Sequence, residues 1–390
     1  MPDTRRHRLA REGRFLLCRL LASPVVDMVH VLVRENGNNN AAAAGGATAG
    51  GATAGVLLGM ERLREVAERY KVADAFKAGC SKIIVVCGSL EARRFGLSDA
   101  DFDTLASKVD VVVHNAADVH WKRGYDALKA TNVDSTVDII QLCATGELAK
   151  RLVYVSSIAA IMPHEYQQEQ GQFTCENTEA MRLLGGYGQS KRVSSCLVQK
   201  AREAGLDAVI CSPGTIGGSL CGACNPADAI NRFLASICEL EMVPSSGDDG
   251  VVGQFSVLPV DFVSDMISGL AVTSDAREDA RNNCYTIVGP PVSLSTITEA
   301  CREWASSHHA EIKTVSVEIF SQSIGEKKCS LTPLAEFFQA DVSKYAISNE
   351  AEKFNHLNTR AWCERYQLHM PTVSTAEIHR YLWTLMGGGK

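Results

Sequence analysis

The chain has 390 residues, of which 46% are hydrophobic and 22% are charged, a balance typical of a globular protein with ample core material. Its formal net charge of −6 gives no electrostatic support for nucleic-acid binding. No apolar run approaches the length that spans a bilayer, so the sequence predicts a soluble, cytoplasmic protein without a membrane span.

The N-terminal part of the sequence changes character several times. Residues 1–12 are polar and rich in arginine, and from Gly13 the spacing of apolar residues predicts a helix. Residues 28–33 then predict a short buried strand. Residues 35–56 are of low complexity, with runs of Asn, Ala and Gly that cannot bury a core. We therefore predict a disordered insertion in a surface connection.

Apolar strands alternate with helices through the middle of the chain. Strands are predicted at residues 82–87, 109–114, 152–156 and 208–212, and helices at residues 57–70, 125–145 and 186–204. This alternation predicts an α/β fold with a Rossmann-type, doubly wound parallel sheet over residues 13–262. The alternation loosens beyond residue 262, which indicates a smaller C-terminal substrate lobe over residues 263–390.

The cysteines and histidines give no sign of a metal site. The fourteen cysteines lie mostly in apolar stretches and are interpreted as buried free thiols of a reducing compartment. Cys221 and Cys224 are spaced as CxxC, but no second pair with metal-binding spacing accompanies them. His308 and His309 are neighbours on a predicted helix and point in different directions. We predict no metal site.

The segment Tyr187-Gly188-Gln189-Ser190-Lys191 carries the strongest chemical signal. A tyrosine and a lysine four residues apart lie on one face of a helix, one turn from each other. An ammonium close to a phenol favours the phenolate, and such a phenol can protonate a carbonyl oxygen as hydride reaches its carbon. On its own the spacing is a weak indication, because a packed tyrosine beside a solvated lysine also produces it.

Residues at two further strand ends support this signal. Ser157 follows a predicted strand, and parallel sheets bind their ligands at the carboxyl ends of strands. Its hydroxyl can hold a substrate carbonyl against Tyr187. The preceding strand runs into Asn115, Ala116 and Ala117, and the small size of the two alanines lets a flat cofactor approach the backbone. Three such segments, in this order at three successive strand ends, indicate a reductase site more strongly than any one of them alone.

These residues together resemble the thioester reductase family. That family comprises the terminal reductase domains of nonribosomal peptide and polyketide synthases and of aminoadipate and carboxylic acid reductases. The resemblance covers nearly the whole chain from Gly13, and its main segments are residues 114–121, 132–133, 154–157, 187–191, 213–218, 225–244 and 259–262. Fatty acyl-CoA reductases share the catalytic pattern, but the segments around Trp121 and Asn225 look more like the type that acts on carrier proteins.

The resemblance implies an NADPH-dependent reductase of an acyl thioester, borne by a carrier protein or by CoA, with an aldehyde or alcohol as product. Ser157, Tyr187 and Lys191 are then the catalytic triad. The cofactor-binding residues that it implies are Gly13, Arg34, Asn115, Ala116, Ala117, Tyr187, Lys191, Pro213 and Ile216. Arg34 matches the position that meets the 2′-phosphate of NADPH, which a guanidinium binds in bidentate geometry.

The match fails at the N-terminus. The family begins with an apolar strand and a GxxGxxG turn, of which only the last glycine, Gly13, is in place, with His7 and Ala10 at the other two positions. The arginine-rich residues before Gly13 are unsuited to a strand buried on both faces in the middle of a Rossmann sheet. We expect the sheet to lack its N-terminal strand and the pyrophosphate to lack its seat at a helix terminus.

Two explanations for this departure stay open. Either the strand and the glycine turn precede Met1 in a longer protein, or the chain is a degenerate relative; the intact Ser157, Tyr187 and Lys191 favour the first. Two other functions also stay open. One is an extended short-chain dehydrogenase of the sugar-nucleotide or hydroxysteroid type, and the other is a non-catalytic binding protein on a relic scaffold.

Overall fold

The computed structural model describes residues 11–34, 49–120, 122–161, 173, 175, 178–245, 254–273, 284–335 and 354–387. The predictions for residues 1–10 and 35–48 and for Trp121 lie outside these residues. The chain forms two compact units, the first from Met1–Ser212 and Ser264–Tyr285 and the second from Pro213–Val263 and Thr286–Lys390. The domain boundary predicted at residue 262 stays a prediction.

Helices and strands alternate along the first unit. Its elements are α1 (Arg11–Ala22), β1 (Val29–Val33), α2 (Ala49–Arg69), α3 (Ala73–Gly79), β2 (Ile83–Cys87), α4 (Asp99–Lys108), β3 (Val111–His114), α5 (Tyr125–Lys129), α6 (Ser135–Ala144), β4 (Arg151–Val155), α7 (Thr178–Arg182), α8 (Gly185–Glu203) and β5 (Asp207–Pro213). The predicted strands and helices of this region are confirmed to within a few residues at each end, except that α2 begins eight residues before its predicted start at residue 57.

The remaining elements lie mostly in the second unit. They are β6 (Thr215–Ile216), α9 (Ala229–Leu240), β7 (Met242–Ser245), β8 (Gln254–Leu258), α10 (Val260–Val272), β9 (Cys284–Ile287), β10 (Pro291–Ser293), α11 (Leu294–Ser307), β11 (Lys313–Ser316), α12 (Val317–Glu326), α13 (Leu357–Arg365) and α14 (Thr375–Leu385). α10 and β9 cross the boundaries between the units. The core of the second unit includes Phe233 and Ile237 of α9 and Phe320 of α12.

The predicted insertion over residues 35–56 is wrong at its C-terminal end, because residues 49–56 are the first turns of α2. The later part of this helix buries Leu63 and Ala67 in a core shared with β1 and β2. Once packing has nucleated a helix, adding further residues costs much less than nucleation, so the helix extends even through glycines that each disfavour it by about 1 kcal/mol. Low complexity therefore did not exclude regular structure here.

The strands pair in parallel, as the alternating pattern predicts. β1 pairs with β2, and Val29 lies opposite Ile83. A separate sheet has the order β3-β4-β5-β9, in which β3, β4 and β5 are parallel. The carboxyl ends of β3, β4 and β5 consequently meet at one edge of this sheet. The predicted α/β class is confirmed.

In the described part of the chain, no strand joins the β1–β2 pair to the sheet that contains β3. Within the described residues β1 pairs only with β2, and β3 lies at an edge of its sheet. The first three residues of β3 and the first four of β1 are partly exposed, whereas β4 is buried throughout. α1 contacts both sheets, since Leu21 packs with Val33 while Gly13 lies against Asn115.

None of the helices in the described part of the chain has the length and apolar character needed to cross a bilayer.

Candidate active site

Ser157 lies just beyond the carboxyl end of β4. β4 ends at Val155, and the Ser157 hydroxyl accepts a 3.2 Å hydrogen bond from the backbone amide of Ala159. This bond caps a short helical turn and fixes the hydroxyl. Ser157 is partly exposed, so a ligand at the sheet edge can reach its side chain.

Helix α8 lies directly against this turn. It carries Tyr187, which is partly buried, and Lys191, which is buried, one helical turn apart. A Cβ atom added at Gly188 would lie 2.5 Å from the carbonyl oxygen of Ala159, so only glycine permits this approach. The glycine beside Tyr187 therefore brings α8 and the turn that holds Ser157 into contact.

Two contacts fix Lys191 beneath the site. Its side chain is 3% exposed, and its ammonium donates a 2.7 Å hydrogen bond to the carbonyl oxygen of Val155. Nζ also lies 5.1 Å from the ring centroid of Tyr154, within the range of a cation–π contact. The lysine is thereby held at the end of the strand that leads to Ser157. The structure brings Ser157, Tyr187 and Lys191 to one junction, and their catalytic roles stay predictions.

His114, at the end of β3, is not a candidate acid or base. Burial and, to a lesser extent, the charge of Lys191 lower the pKa of His114 to about 3. Its Nε2 lies 3.2 Å from the hydroxyl of Thr136, and its ring packs on the Tyr154 ring with centroids 5.6 Å apart. The imidazole is therefore neutral near neutral pH and structural in its contacts. Tyr187 stays the predicted proton donor.

Asn132 ties the loop after β3 to α8, a role that the sequence analysis missed. Its side-chain oxygen accepts a 2.7 Å hydrogen bond from the Asp118 amide, and its nitrogen donates to the Asp118 carbonyl at 3.1 Å and to the Ser190 hydroxyl at 2.9 Å. The Ser194 hydroxyl donates to the Asn132 carbonyl at 2.8 Å. Asn132 lies in a π-helical turn, Ala130–Asp134, a feature frequent at functional sites. The sequence signal that could have indicated this role is an asparagine within the predicted helix over residues 125–145.

Asn115, which follows β3, has an unsatisfied side chain. Both atoms of its amide are buried without a hydrogen-bond partner among the described residues. A Cβ atom built at Gly13 would lie 3.5 Å from its Nδ2, and Ala116 and Ala117 follow it in partly buried positions. Because buried amides rarely lack partners, this group fits a ligand that offers both a donor and an acceptor. Four of the predicted cofactor-binding residues thus lie together.

Arg34, the predicted contact for the 2′-phosphate, is held by a partner that the sequence did not reveal. Its Nη2 lies 3.0 Å from Oε1 of Glu91, which follows β2, and both side chains are about half exposed. The Thr131 hydroxyl approaches the same oxygen at 3.4 Å. Exposed ion pairs contribute roughly 0–1 kcal/mol, so the guanidinium can exchange this carboxylate for a phosphate at low cost.

Two predicted cofactor-binding residues remain. Pro213 and Ile216 belong to the second unit, and their roles as cofactor contacts stay predictions. In the described residues no three His, Cys, Asp or Glu side chains gather as a metal site would need. The cysteines are free, as predicted, but Cys175 and Cys221 are exposed, so their predicted burial is wrong. Cys221 lies in a hydrogen-bonded turn, and turns lie at protein surfaces.

Comparison with known sequences finds a matching protein family and relatives that are much longer than this chain. Residues 54–267 match a family of NAD-binding domains described as male sterility protein. Over 315 residues the chain is 33% identical to the L-2-aminoadipate reductase large subunit of Eremothecium gossypii, covering 76% of this chain and 22% of that protein. The chain therefore spans about a fifth of the length of this relative.

Solved structures share the fold. The terminal R domain from the myxalamid PKS-NRPS pathway superposes with a TM-score of 0.76 at 24% identity, covering 97% of this chain and 88% of that one. The reductase domain of a nonribosomal peptide synthetase from Mycobacterium tuberculosis superposes with a TM-score of 0.71 at 18% identity, covering 96% and 89%. The Rossmann-type fold is confirmed by these superpositions.

Proposed function

The chain belongs to the male sterility family of NAD-binding domains, and from that premise we propose that it is an NADPH-dependent reductase of an acyl thioester. The observation that carries the proposal is the junction of β4 and α8, where Lys191 bonds to the Val155 carbonyl and α8 packs on the turn of Ser157. The names of the relatives, an aminoadipate reductase and reductase domains of peptide synthetases, support a reduction of carboxylic acid derivatives.

The residues around Asn115 fit a dinucleotide cofactor. The unsatisfied amide of Asn115 would bond to it, and the small side chains of Ala116 and Ala117 leave room beside the backbone. Gly13, in the first turn of α1, would let the cofactor approach the helix backbone closely, although the other two glycines of the turn are absent. Bound NADPH would supply the hydride that reduces the thioester carbonyl.

The protein's own groups would then handle the oxygen and the proton. The hydroxyls of Ser157 and Tyr187 would hold the thioester oxygen and stabilise its negative charge, and Tyr187 would protonate it. The ammonium of Lys191 would favour ionisation of the Tyr187 phenol and hold the ribose of the cofactor. The resulting hemithioacetal would collapse to an aldehyde and a free thiol, and a second reduction would give the alcohol.

The proposal assigns the thioester to a carrier protein or to CoA. Because the 390-residue chain is expected to bind NADPH weakly, this test and the two below use a chain in which residues 1–12 are replaced by an apolar strand and a glycine-rich turn. It is offered NADPH with an acyl-carrier protein, the matching acyl-CoA and a diffusible ketone, and NADPH consumption is followed. We expect turnover with a thioester only. Turnover with the ketone alone would instead identify a dehydrogenase of small diffusible substrates, and NADPH binding without any turnover would identify a non-catalytic relative. The cytoplasmic location also stays a prediction.

The packing of Gly188 gives one prediction about turnover. We expect Gly188→Ala to lower kcat by about 10²-fold, because a Cβ there must push Tyr187 and α8 away from the turn of Ser157. Gly124→Ala is the matched control, since a Cβ at Gly124 meets no atom within 4 Å and its φ of −68° suits alanine. Steady-state kinetics of both variants, with thermal melts to compare folding, decide the point. Equal kcat in Gly188→Ala and the parent would refute the proposed placement.

The Arg34–Glu91 pair gives a prediction about cofactor choice. We expect the protein to prefer NADPH over NADH, and Arg34→Ala to narrow that preference, because the guanidinium would bind the 2′-phosphate. Glu91→Gln should widen it, since it removes the carboxylate that competes for Arg34. Dissociation constants for both cofactors in the three proteins measure this. Equal affinity of the parent for NADPH and NADH would contradict the assignment of Arg34.

A further inference from the structure

Two cysteines of the first unit lie in contact beside the proposed active site. Sγ of Cys175 is 2.8 Å from Sγ of Cys196. Cys175 is exposed, whereas Cys196 is 8% exposed on α8, five residues after Lys191. One thiol is therefore open to solvent and the other is held beneath it on the helix that carries Tyr187.

Other contacts hold the chain around Cys175 along the same face of α8. The backbone amide of Phe173 donates a 2.6 Å hydrogen bond to the side-chain oxygen of Gln199. The guanidinium of Arg192 lies 4.9 Å from the centroid of the Phe173 ring. Arg192, Cys196 and Gln199 are spaced at four and three residues, so they share one face of the helix. The approach of the two sulfurs thus belongs to a set of contacts rather than to a single side chain.

A second cysteine pair, in the second unit, provides an internal comparison. Cys238 and Cys301 are joined by a side-chain hydrogen bond, but both are buried, at 7% and 0% exposure. A small oxidant in solution can reach Cys175 directly, whereas the Cys238–Cys301 pair is shielded from it. Proximity is common to the two pairs, and exposure distinguishes them.

We propose that Cys175 and Cys196 form a redox modification site, at which a hydroperoxide converts the two thiols into a disulfide that ties residue 175 to α8. Cys175 is the thiol that reacts first because it is exposed. Its thiolate attacks the peroxide, forming a sulfenic acid and releasing water from hydrogen peroxide. The sulfur of Cys196 then attacks the sulfenic sulfur, the S–S bond forms, and a second water leaves with the proton of Cys196. In total two thiols lose two electrons, which reduce one peroxide to two waters.

The electrostatic setting agrees with this order of events. The pKa of Cys196 is raised, first by its hydrogen bond with Cys175 and then by burial. Cys196 therefore keeps its proton until the sulfenic acid has formed beside it. The charges of Arg192 and Lys200 oppose this rise and favour loss of the proton in the second step.

The test treats the reduced full chain with hydrogen peroxide, blocks the remaining thiols with an alkylating reagent and maps peptides by mass spectrometry. We expect a peptide pair cross-linked between Cys175 and Cys196, with Cys238 and Cys301 alkylated after unfolding. Dithiothreitol should remove the link. The link closes a loop of about 20 residues and should raise the melting temperature by roughly 4 °C.

Single variants separate the two steps. Cys175→Ser should prevent the link and leave Cys196 as a thiol. Because Cys175 is exposed, the substitution removes no core packing. In Cys196→Ser the reaction should stop at a sulfenic acid on Cys175, which dimedone traps. Cys221→Ser, at the other exposed cysteine, should leave the link unchanged. The proposal would be overturned if the peroxide-treated parent lacked the Cys175–Cys196 link. It would also be overturned if Cys196 formed a disulfide with another cysteine in Cys175→Ser. Because no step uses NADPH or a thioester, the result does not depend on the proposed function.

Discussion

Replacing Tyr187 by phenylalanine is expected to lower turnover by roughly 10²–10⁴-fold, the usual contribution of general acid catalysis. Phenylalanine keeps the ring of this partly buried residue and removes only its hydroxyl. The contact that Ser190 makes to residue 187 uses the backbone carbonyl and survives the change. In the chain whose residues 1–12 are replaced by an apolar strand and a glycine-rich turn, we therefore expect loss of catalysis with little change in the melting temperature, and binding of NADPH should persist.

The control is Tyr366→Phe in the second unit. Tyr366 is also partly buried and packs on Trp362, with ring centroids 4.7 Å apart, so the substitution removes a comparable hydroxyl without touching the site. Its kcat should match that of the parent. If Tyr187→Phe turned over at the parental rate, Tyr187 would not be the proton donor and the proposed mechanism would fail.

Supplying a strand before Gly13 is expected to stabilise the protein and to confer tight NADPH binding. Among the described residues β1 pairs only with β2, β3 pairs only with β4, and both strands carry partly exposed apolar residues. Each unsatisfied buried group costs roughly 1–3 kcal/mol, and the two missing glycines of the turn remove amide contacts with pyrophosphate. The 390-residue chain should accordingly be of low stability and bind NADPH weakly or not at all.

The experiment replaces residues 1–12 by an apolar strand of about five residues and a glycine-rich turn that ends at Gly13. The control is a polar segment of equal length. We expect the apolar version to raise the melting temperature by roughly 5–15 °C and the control to leave it unchanged. NADPH affinity should rise only in the apolar version. Tight NADPH binding by the 390-residue chain would show instead that the residues before Gly13 build a phosphate site.

The fold was predictable because its strands are short apolar runs bounded by polar residues. β3, β4 and β5 were each located from such a run, and the parallel sheet followed from the helices between them. The expectation that the arginine-rich residues before Gly13 do not form a buried central strand stays a prediction. The start of α2 was not predictable, because its first turns are stabilised by continuity with a packed helix rather than by their own composition.

The sequence predicted three candidate reactive groups, whose catalytic roles stay predictions, but not the contacts that hold them in place. Tyr187 and Lys191 were found from helical spacing and Ser157 from its place after a strand. The contacts that hold them, such as Asn132 to Ser190 and Lys191 to Val155, join residues far apart in sequence, and no local pattern encodes them. The same holds for the Arg34–Glu91 pair, which spans 57 residues.

The measurement that tests the central claim most directly is the release of thiol during NADPH oxidation. The chain in which residues 1–12 are replaced by the apolar strand and the glycine-rich turn is mixed with NADPH and an acyl thioester of pantetheine. Free thiol and oxidised cofactor are quantified together, and the Tyr187→Phe variant of the same chain serves as the blank. A thioester reductase that forms the aldehyde must release one thiol for each NADPH oxidised. If it forms the alcohol, it must release one thiol for every two NADPH oxidised. We expect one of these ratios and almost no signal in the blank. Tight NADPH binding without release of thiol from the thioester would contradict the account.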